Sequence, residues 1–522
     1  MLARVHTASL LGLTARPITV EVDLARGLPT FHLVGLPDGA VRESRERVTA
    51  ALKNSGFALP LRRITVNLAP ADQPKSGSGF DLPIALAILA AEGSIAPTGS
   101  RPLAALGELA LDGRVRPVRG VLPAAAALAA DGAPQFLVAM ENAREAALVR
   151  GLRSIPVGSL RSAVDHVSGL HPIEPAAAGE PSPPEEGGRD WAEVRGQAAA
   201  RRALEIAAAG SHNALLIGPP GAGKTFLARR LGTILPPLAG PEALEVTAIH
   251  SAWGRLSPER PLVTSPPFRA PHHSISATAL LGGGSPTRAG EVCLAHRGVL
   301  FLDELPEFRR DALEGLRQPI EDGEVVIGRA RERHRFPTSF LLLAAMNPCP
   351  CGWWGDDRRA CRCTPGVRRA YRSRLSGPLL DRIDLHVPFR AVPFLDLVDG
   401  REMERSATVR ARVEAARVRQ LARGGLNARL EPGRGARWAR LGSDGRRLLA
   451  GAHDRLGISA RGHVRILRVA RTIADLDGRD AIEPSDLAEA IQYRVLDRSQ
   501  EPSLPILEGR ERTCRSTSTS DA

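Results

Sequence analysis

Residues 214–225, Ala-Leu-Leu-Ile-Gly-Pro-Pro-Gly-Ala-Gly-Lys-Thr, constrain the fold more than any other stretch of the chain. The apolar run Ala214 to Ile217 reads as a buried parallel strand, which breaks into a glycine-rich turn and then a helix opening near Lys224. This is the phosphate-loop pattern G-x-x-x-x-G-K-[ST] in its strand–loop–helix setting. Gly218, Gly221 and Gly223, with Pro219, Pro220 and Ala222 completing the loop, let the backbone wrap a polyphosphate. Consecutive amides and the helix N-terminus then point at the anion. Lys224 adds a charge for the β and γ phosphates, and Thr225 a hydroxyl for Mg²⁺. Lysine otherwise stands only at 53 and 75, and arginine carries nearly all remaining positive charge. The expected ligands are ATP and Mg²⁺.

Further along, Val299-Leu-Phe-Leu ends in Asp303-Glu304, an apolar strand delivering two acids. Asp303 suits the Mg²⁺ shell, and Glu304 is placed to orient and deprotonate an attacking water. A third apolar strand, Phe340 to Met346, ends at Asn347, in the geometry of a polar sensor for that water. Ser376-Gly-Pro-Leu-Leu-Asp-Arg-Ile-Asp puts Arg382 after a short helix, where it could act as a finger in a neighbouring subunit's nucleotide site.

At 522 residues the chain should hold two to four domains. A domain of α+β or mixed α/β class is expected over 1–168, a Pro- and Glu-rich linker over 169–189, an ATPase core over 190–395, a helical region over 396–501 and a disordered polar tail over 502–522. Met1 to Val20 reads as the first hairpin of a domain, not as a secretory signal. No apolar stretch reaches the roughly 20 residues needed to span a bilayer, so the expected compartment is the cytoplasm, without a membrane partner. A formal charge of +13 points to a polyanionic partner, most simply nucleic acid. Four of six cysteines cluster as Cys349-x-Cys351, nine residues, Cys361-x-Cys363. That spacing suggests structural Zn²⁺ in a reducing compartment. Glu324 to Phe336 alternates strand residues around Arg329, Arg331 and Arg333, a basic β-hairpin suited to a phosphate backbone.

In the N-terminal domain, Val66-Asn-Leu-Ala-Pro-Ala, Pro74-Lys-Ser-Gly-Ser-Gly-Phe-Asp and Gly107-Glu-Leu-Ala-Leu-Asp-Gly-Arg resemble the proteolytic domain of Lon proteases, of the ribosomal S5 domain 2-like fold. By that alignment Gly79 stands where the nucleophilic serine should be, and Leu122 and Ala124 fill the lysine positions. Ser76 and Ser78 lie nearby without a partner lysine downstream, and a serine without its base is inert. The resemblance therefore implies a non-catalytic Lon-like domain for assembly or binding.

The phosphate loop, Asp303-Glu304, Asn347 and Leu379-Leu-Asp-Arg-Ile-Asp together resemble an AAA+ ATPase of the magnesium-chelatase-like group. Phe268-Arg-Ala-Pro-His-His-Ser-Ile-Ser, Gly282-Gly-Gly and Asn347-Pro-Cys-Pro-Cys-Gly narrow the resemblance to the YifB/ComM family, over roughly residues 2 to 498. It implies an α/β phosphate-loop core with its parallel sheet between helices, a helical lid behind it and the Lon-like domain in front. It implies a homo-hexameric helicase on single-stranded or branched DNA, working beside recombination proteins in branch migration and natural transformation. Residues 265–295 would form an insert near the central pore. In the lid, Arg461 matches the family's second sensor, with Arg465 and Arg468 as alternatives. Two other readings are a magnesium-chelatase-like metal-insertion ATPase and a protein-remodelling ATPase, neither of which translocates DNA.

Overall fold

The computed structural model describes residues 1–95, 102–179, 188–284, 287–329, 332–394, 396, 402–431, 437–494 and 496. The chain forms two compact units, Met1–Pro184 with Leu238–Thr264, and Glu185–Pro237 with Ser265–Ala522. Sequence reading alone assigns all of 190–395 to one core; Leu238–Thr264 instead packs within the first unit.

Among the described residues the first unit is built on nine strands: β1 (Leu2–Leu11), β2 (Thr14–Ala25), β3 (Thr30–Val34), β4 (Arg63–Ala69), β5 (Ala104–Leu106), β6 (Glu108–Leu109), β7 (Val115–Arg116), β8 (Gln135–Ala139) and β9 (Arg153–Val157). Seven of them form a mixed sheet in the order β3-β4-β2-β1-β5-β8-β9, and β6 pairs with β7 as a small hairpin. The opening β1–β2 hairpin is antiparallel, Leu11 opposite Thr14 across a two-residue turn, and Ile18, Val20 and Val22 alternate into the core. β3–β4, β1–β5, β5–β8 and β8–β9 are parallel. The helix Asp81–Glu92 is apolar almost all round and lies against β1 and β2, which is why it carries no amphipathic stripe. The helix Val121–Ala130 packs on the sheet and also on the helix Gly240–Ala252. There Gly120 N–H donates to Ser251 O at 2.9 Å and Leu122 N–H to Ser251 Oγ at 3.3 Å.

The second unit holds β10 (Ala214–Ile217), β11 (Phe268–Arg269), β12 (Gly282–Gly283), β13 (Arg288–Ala289), β14 (Val299–Leu302), β15 (Glu324–Arg329), β16 (Glu332–Pro337), β17 (Leu341–Met346) and β18 (Leu385–Pro388). Five form a sheet in the order β11-β14-β17-β10-β18, parallel at every pairing. Every residue of β10, β14 and β17 is buried, so these strands read as continuous apolar runs. Because β14, β17 and β10 are neighbours and run the same way, their carboxyl ends deliver Asp303, Asn347 and the phosphate loop to one edge. That edge is where ligands bind in open parallel sheets.

Helices Ser406–Ala422, Ser443–Leu456, Ala460–Leu476 and Pro484–Gln492 follow the sheet and share one apolar core with it, through Val409, Val413, Ile466, Ile473 and Leu487. These elements make a mixed α/β body consistent with a magnesium-chelatase-like AAA+ fold. Two antiparallel hairpins complete the unit, β12–β13 and β15–β16. Phe336 roots the second hairpin and is fully buried, a contribution of roughly 1.5–3 kcal/mol. The tail beyond 496 and much of the linker, 180–187, lie outside the described residues. Among those described, no helix is long and apolar enough to cross a membrane.

Candidate active site

The phosphate loop runs from β10 into the helix Lys224–Ala228. Its glycines serve different ends. Gly221 and Gly223 have φ of +75° and +88°, and a Cβ at either would meet no atom within 4 Å, so the cradle is open. Gly218 has ordinary backbone geometry but no room: a Cβ there would stand 2.5 Å from Phe389 Cβ.

Lys224 Nζ donates to Gly218 O at 2.6 Å, to Pro219 O at 2.8 Å and to Asn347 Oδ1 at 3.1 Å. Burial drives its ammonium down to about 8, against the opposing pull of Asp303 and Glu304. Thr225 donates its hydroxyl to Asp303 Oδ2 at 2.6 Å. A hydroxyl beside a carboxylate is a hard oxygen pair that fits Mg²⁺, and the open cradle with its lysine fits a polyphosphate. Glu304 follows in the left-handed region at φ 54°, and His273 Nδ1 lies 3.3 Å from its Oε2.

Two further arginines read from the sequence lie apart from this cluster in their contacts. Arg382 donates to Pro378 O at 2.7 Å and pairs with Glu321, while its buried Nε finds no partner among the described residues. Arg461 is exposed on the first turn of Ala460–Leu476. Arg382, Arg461 and Arg465 all draw the Glu321 carboxyl down, Arg382 by direct hydrogen bond. Arg465 and Arg468 are committed elsewhere: Arg465 Nη1 lies 3.1 Å from Asp384 Oδ1, and Arg468 Nε donates to Leu430 O at 2.8 Å.

Three comparisons with family models cover most of the chain. The model for magnesium chelatase, subunit ChlI, matches residues 190–397; that for subunit ChlI of Mg-chelatase matches 20–142; and that for the ChlI C-terminal region matches 403–494. YifB of Escherichia coli K12, an uncharacterized protein, is 44% identical over 506 residues, covering 95% of this chain and 98% of YifB. An uncharacterized protein of Mycobacterium tuberculosis H37Rv is 45% identical over 507 residues, covering 94% and 98%. Competence protein ComM of Haemophilus influenzae Rd is 43% identical over 512 residues, covering 95% and 98%. The chain belongs to the YifB/ComM family of magnesium-chelatase-like proteins. Membership suggests an ATPase.

In this YifB/ComM chain several site residues carry no motif of their own. Gln197, at φ 55°, ties Ala222 of the loop (3.1 Å) to Arg390 O (2.6 Å). Asn213 accepts from Leu342 N–H at 2.9 Å and donates to Arg382 O at 2.9 Å, joining β17 to the arginine's backbone. His212 sits fully buried between Thr472 (Nε2, 2.7 Å) and Asp384 (Nδ1, 3.4 Å). Burial alone would raise the Asp384 carboxyl, yet the His212 bond and the Arg465 charge hold it at about 2.

The four cysteines form a tight group: their ligand atoms all lie within 4.8 Å of one another. Sγ–Sγ separations are 3.4 Å for Cys349–Cys351, 3.7 Å for Cys349–Cys361 and 3.6 Å for Cys351–Cys361. A tetrahedral Zn–S₄ centre with bonds near 2.3 Å has sulfur edges of about 3.8 Å, so the donor set is compatible with zinc.

Of the basic hairpin, Arg333 is exposed, whereas Arg331 and the side chain of Arg329 lie outside the described residues. The hairpin itself is paired from Glu324–Pro337 to Arg329–Glu332. Within the 265–295 segment, Gly282 sits against it, since a Cβ there would stand 2.5 Å from Ile327 Cδ1.

Proposed function

We propose that this chain is an ATP-driven DNA motor, a homo-hexameric helicase that promotes branch migration during homologous recombination and natural transformation. The observation that carries the reading is the direct path from the basic hairpin to the nucleotide site. β16 passes through Thr338–Phe340 into β17, and β17 ends on Asn347, in contact with Lys224. A change at the γ-phosphate end therefore has a short covalent route to Arg333 and to the Gly282 hairpin packed on it. The 43% identity to competence protein ComM across 95% of this chain supports the same reading.

In this reading, bound Mg²⁺ neutralises phosphate charge, and the chain's residues do the rest. Thr225 and Asp303 hold the ion, Lys224 leaves its carbonyl partners for the β and γ phosphates, and Asn347 and Glu304 orient the water, Glu304 taking its proton. Arg382 completes the site of an adjacent copy, and Arg461 acts as the second sensor. Arg329, Arg331 and Arg333 track the DNA backbone with little sequence preference. The cysteine group holds structural Zn²⁺.

The first unit serves as a Lon-like assembly or binding domain without hydrolytic chemistry. Supporting this, a Cβ at Gly79 would stand 2.8 Å from Leu106 Cδ1, leaving no space for a serine side chain without rearrangement. Leu122 and Ala124 are buried apolar residues, and Ser78 is engaged with the Glu108 carboxylate.

The deciding experiment is branch migration of a synthetic four-way junction with ATP, comparing wild type with Glu304→Gln. Strand exchange by wild type alone, with DNA-stimulated hydrolysis, is the expected result. Absence of both migration and stimulation by any DNA would overturn the motor.

A further inference from the structure

The cysteine group is not a remote staple. Its connecting segment forms part of the wall of a cavity beside the phosphate loop. This cavity, of about 470 Å³, is lined by Gly221 and Gly223 of the loop together with Val194, Gln197, Trp353 and Arg359. Trp353 and Arg359 belong to the segment between Cys351 and Cys361, and the Arg359 guanidinium lies 4.4 Å over the Trp353 ring.

The segment makes several contacts of its own. Asp356 Oδ1 accepts from the N–H groups of Arg358 (2.8 Å) and Arg359 (2.9 Å), and Arg358 Nη2 donates to Val392 O at 3.2 Å. Gly352, between Cys351 and Trp353, has φ +84° and rests directly on the loop: a Cβ there would stand 2.6 Å from Pro220 Cδ. Trp353 and Trp354 are half-buried, Trp354 beneath the guanidinium groups of Arg368 (5.4 Å) and Arg372 (4.5 Å), while the rest of the segment is polar, glycine or exposed. Four thiolates on one ion would tie the two ends of the segment together beside the cavity.

We propose that Zn²⁺ bound by Cys349, Cys351, Cys361 and Cys363 shapes the wall of the nucleotide site, with Trp353 and Arg359 as the surface that meets the nucleotide's base. Metal occupancy then sets nucleotide affinity. The inference rests on reading the phosphate loop as an ATP site. The phosphate end comes from the loop and Lys224, whereas the base end depends on a segment ordered by metal. An aromatic face capped by a guanidinium is a stacking surface for a planar heterocycle.

The test measures zinc content and equilibrium binding of a fluorescent adenine nucleotide on the full-length chain. Wild type is expected to carry about one Zn²⁺ per chain. Removing it with a mercurial reagent, followed by a thiol, should weaken nucleotide binding on the order of tenfold, and Zn²⁺ but not Mg²⁺ should restore it. Trp353→Ala should keep its zinc and lose a similar factor, a result independent of whether the metal-free chain stays folded. Protein that neither contains nor takes up zinc overturns the proposal. So does unchanged affinity in both the zinc-free protein and Trp353→Ala. Wild type that holds zinc yet binds no nucleotide overturns the ATP reading itself, a separate result from either.

Discussion

Lys224 Nζ lies 3.1 Å from Asn347 Oδ1 while also donating to two carbonyls of its own loop. Three neutral acceptors satisfy the ammonium but do not offset its burial, and its pKa falls to about 8. Polyphosphate would supply the missing negative charge and raise it again, so binding takes up a proton. The sign follows: affinity is full below about pH 8 and is lost as pH rises through that value toward the higher pKa of the bound state. Calorimetry in buffers of different ionisation enthalpy near pH 8 should record net proton uptake. Affinity constant from about pH 7 to 9.5 would refute the linkage.

Arg382 is folded onto Glu321, with its buried Nε lacking a partner among the described residues. Substituting Arg382 by Ala is expected to lower hydrolysis about 10³-fold while leaving nucleotide affinity within about twofold. Mixing that variant with Lys224→Ala should restore part of the activity if the arginine serves another copy's site. Failure of complementation, with both variants assembling normally, would assign Arg382 to its own chain.

Asp384 is buried against His212 and Arg465, and its pKa is held at about 2 against an ordinary 3.8. A carboxyl with a depressed folded pKa contributes stability that is present above its unfolded value and lost as pH falls toward the folded one. Arg465→Ala leaves this charge short of compensation and should destabilise the second unit by about 3 kcal/mol in denaturant unfolding at neutral pH. The deficit of Asp384→Asn relative to wild type should narrow as pH drops from about 4 to about 2. A pH-independent deficit would mean that the carboxylate charge is not what the network stabilises.

Arg333 stands exposed on β16, at a hairpin whose buried anchors among the described residues, Val325 and Phe336, pair at its root. Changing it to Ala should weaken binding to single-stranded DNA of any sequence and flatten the salt dependence by roughly one unit of slope per hairpin engaged. Weakening confined to particular sequences would point to base contacts instead.

The strands, the loop and the acidic pair were legible because each is a local pattern: four to six buried apolar residues followed by a fixed chemical signature. The hairpin over Glu324–Pro337 and the helices that follow the sheet were legible for the same reason, period two in one and period near 3.6 in the other. Gln197 was not, since its role lies in reaching Arg390, 193 positions away. Asn213 joins Leu342 and Arg382 across 129 and 169 positions, and nothing in its immediate neighbours marks it. His273 next to Glu304 had a local hint, the His-His pair, but its partner is set by how β11 lies beside β14. The assignment of Leu238–Thr264 to the first unit was equally out of reach, because the apolar face of Gly240–Ala252 does not say which helix will cover it.

That last feature bears on how such a protein can be inherited. Gly240–Ala252 buries Ala243, Val246 and Ile249 within the first unit, although its gene segment lies between the phosphate loop and the acidic strand. A gene fusion or deletion joined at the linker near residue 184 would deliver one half with this helix stranded and the other with its docking face bare. Natural exchange of domains at that joint is therefore disfavoured from both sides. The two halves are expected to descend together as one hereditary unit, diverging in step instead of being traded between lineages.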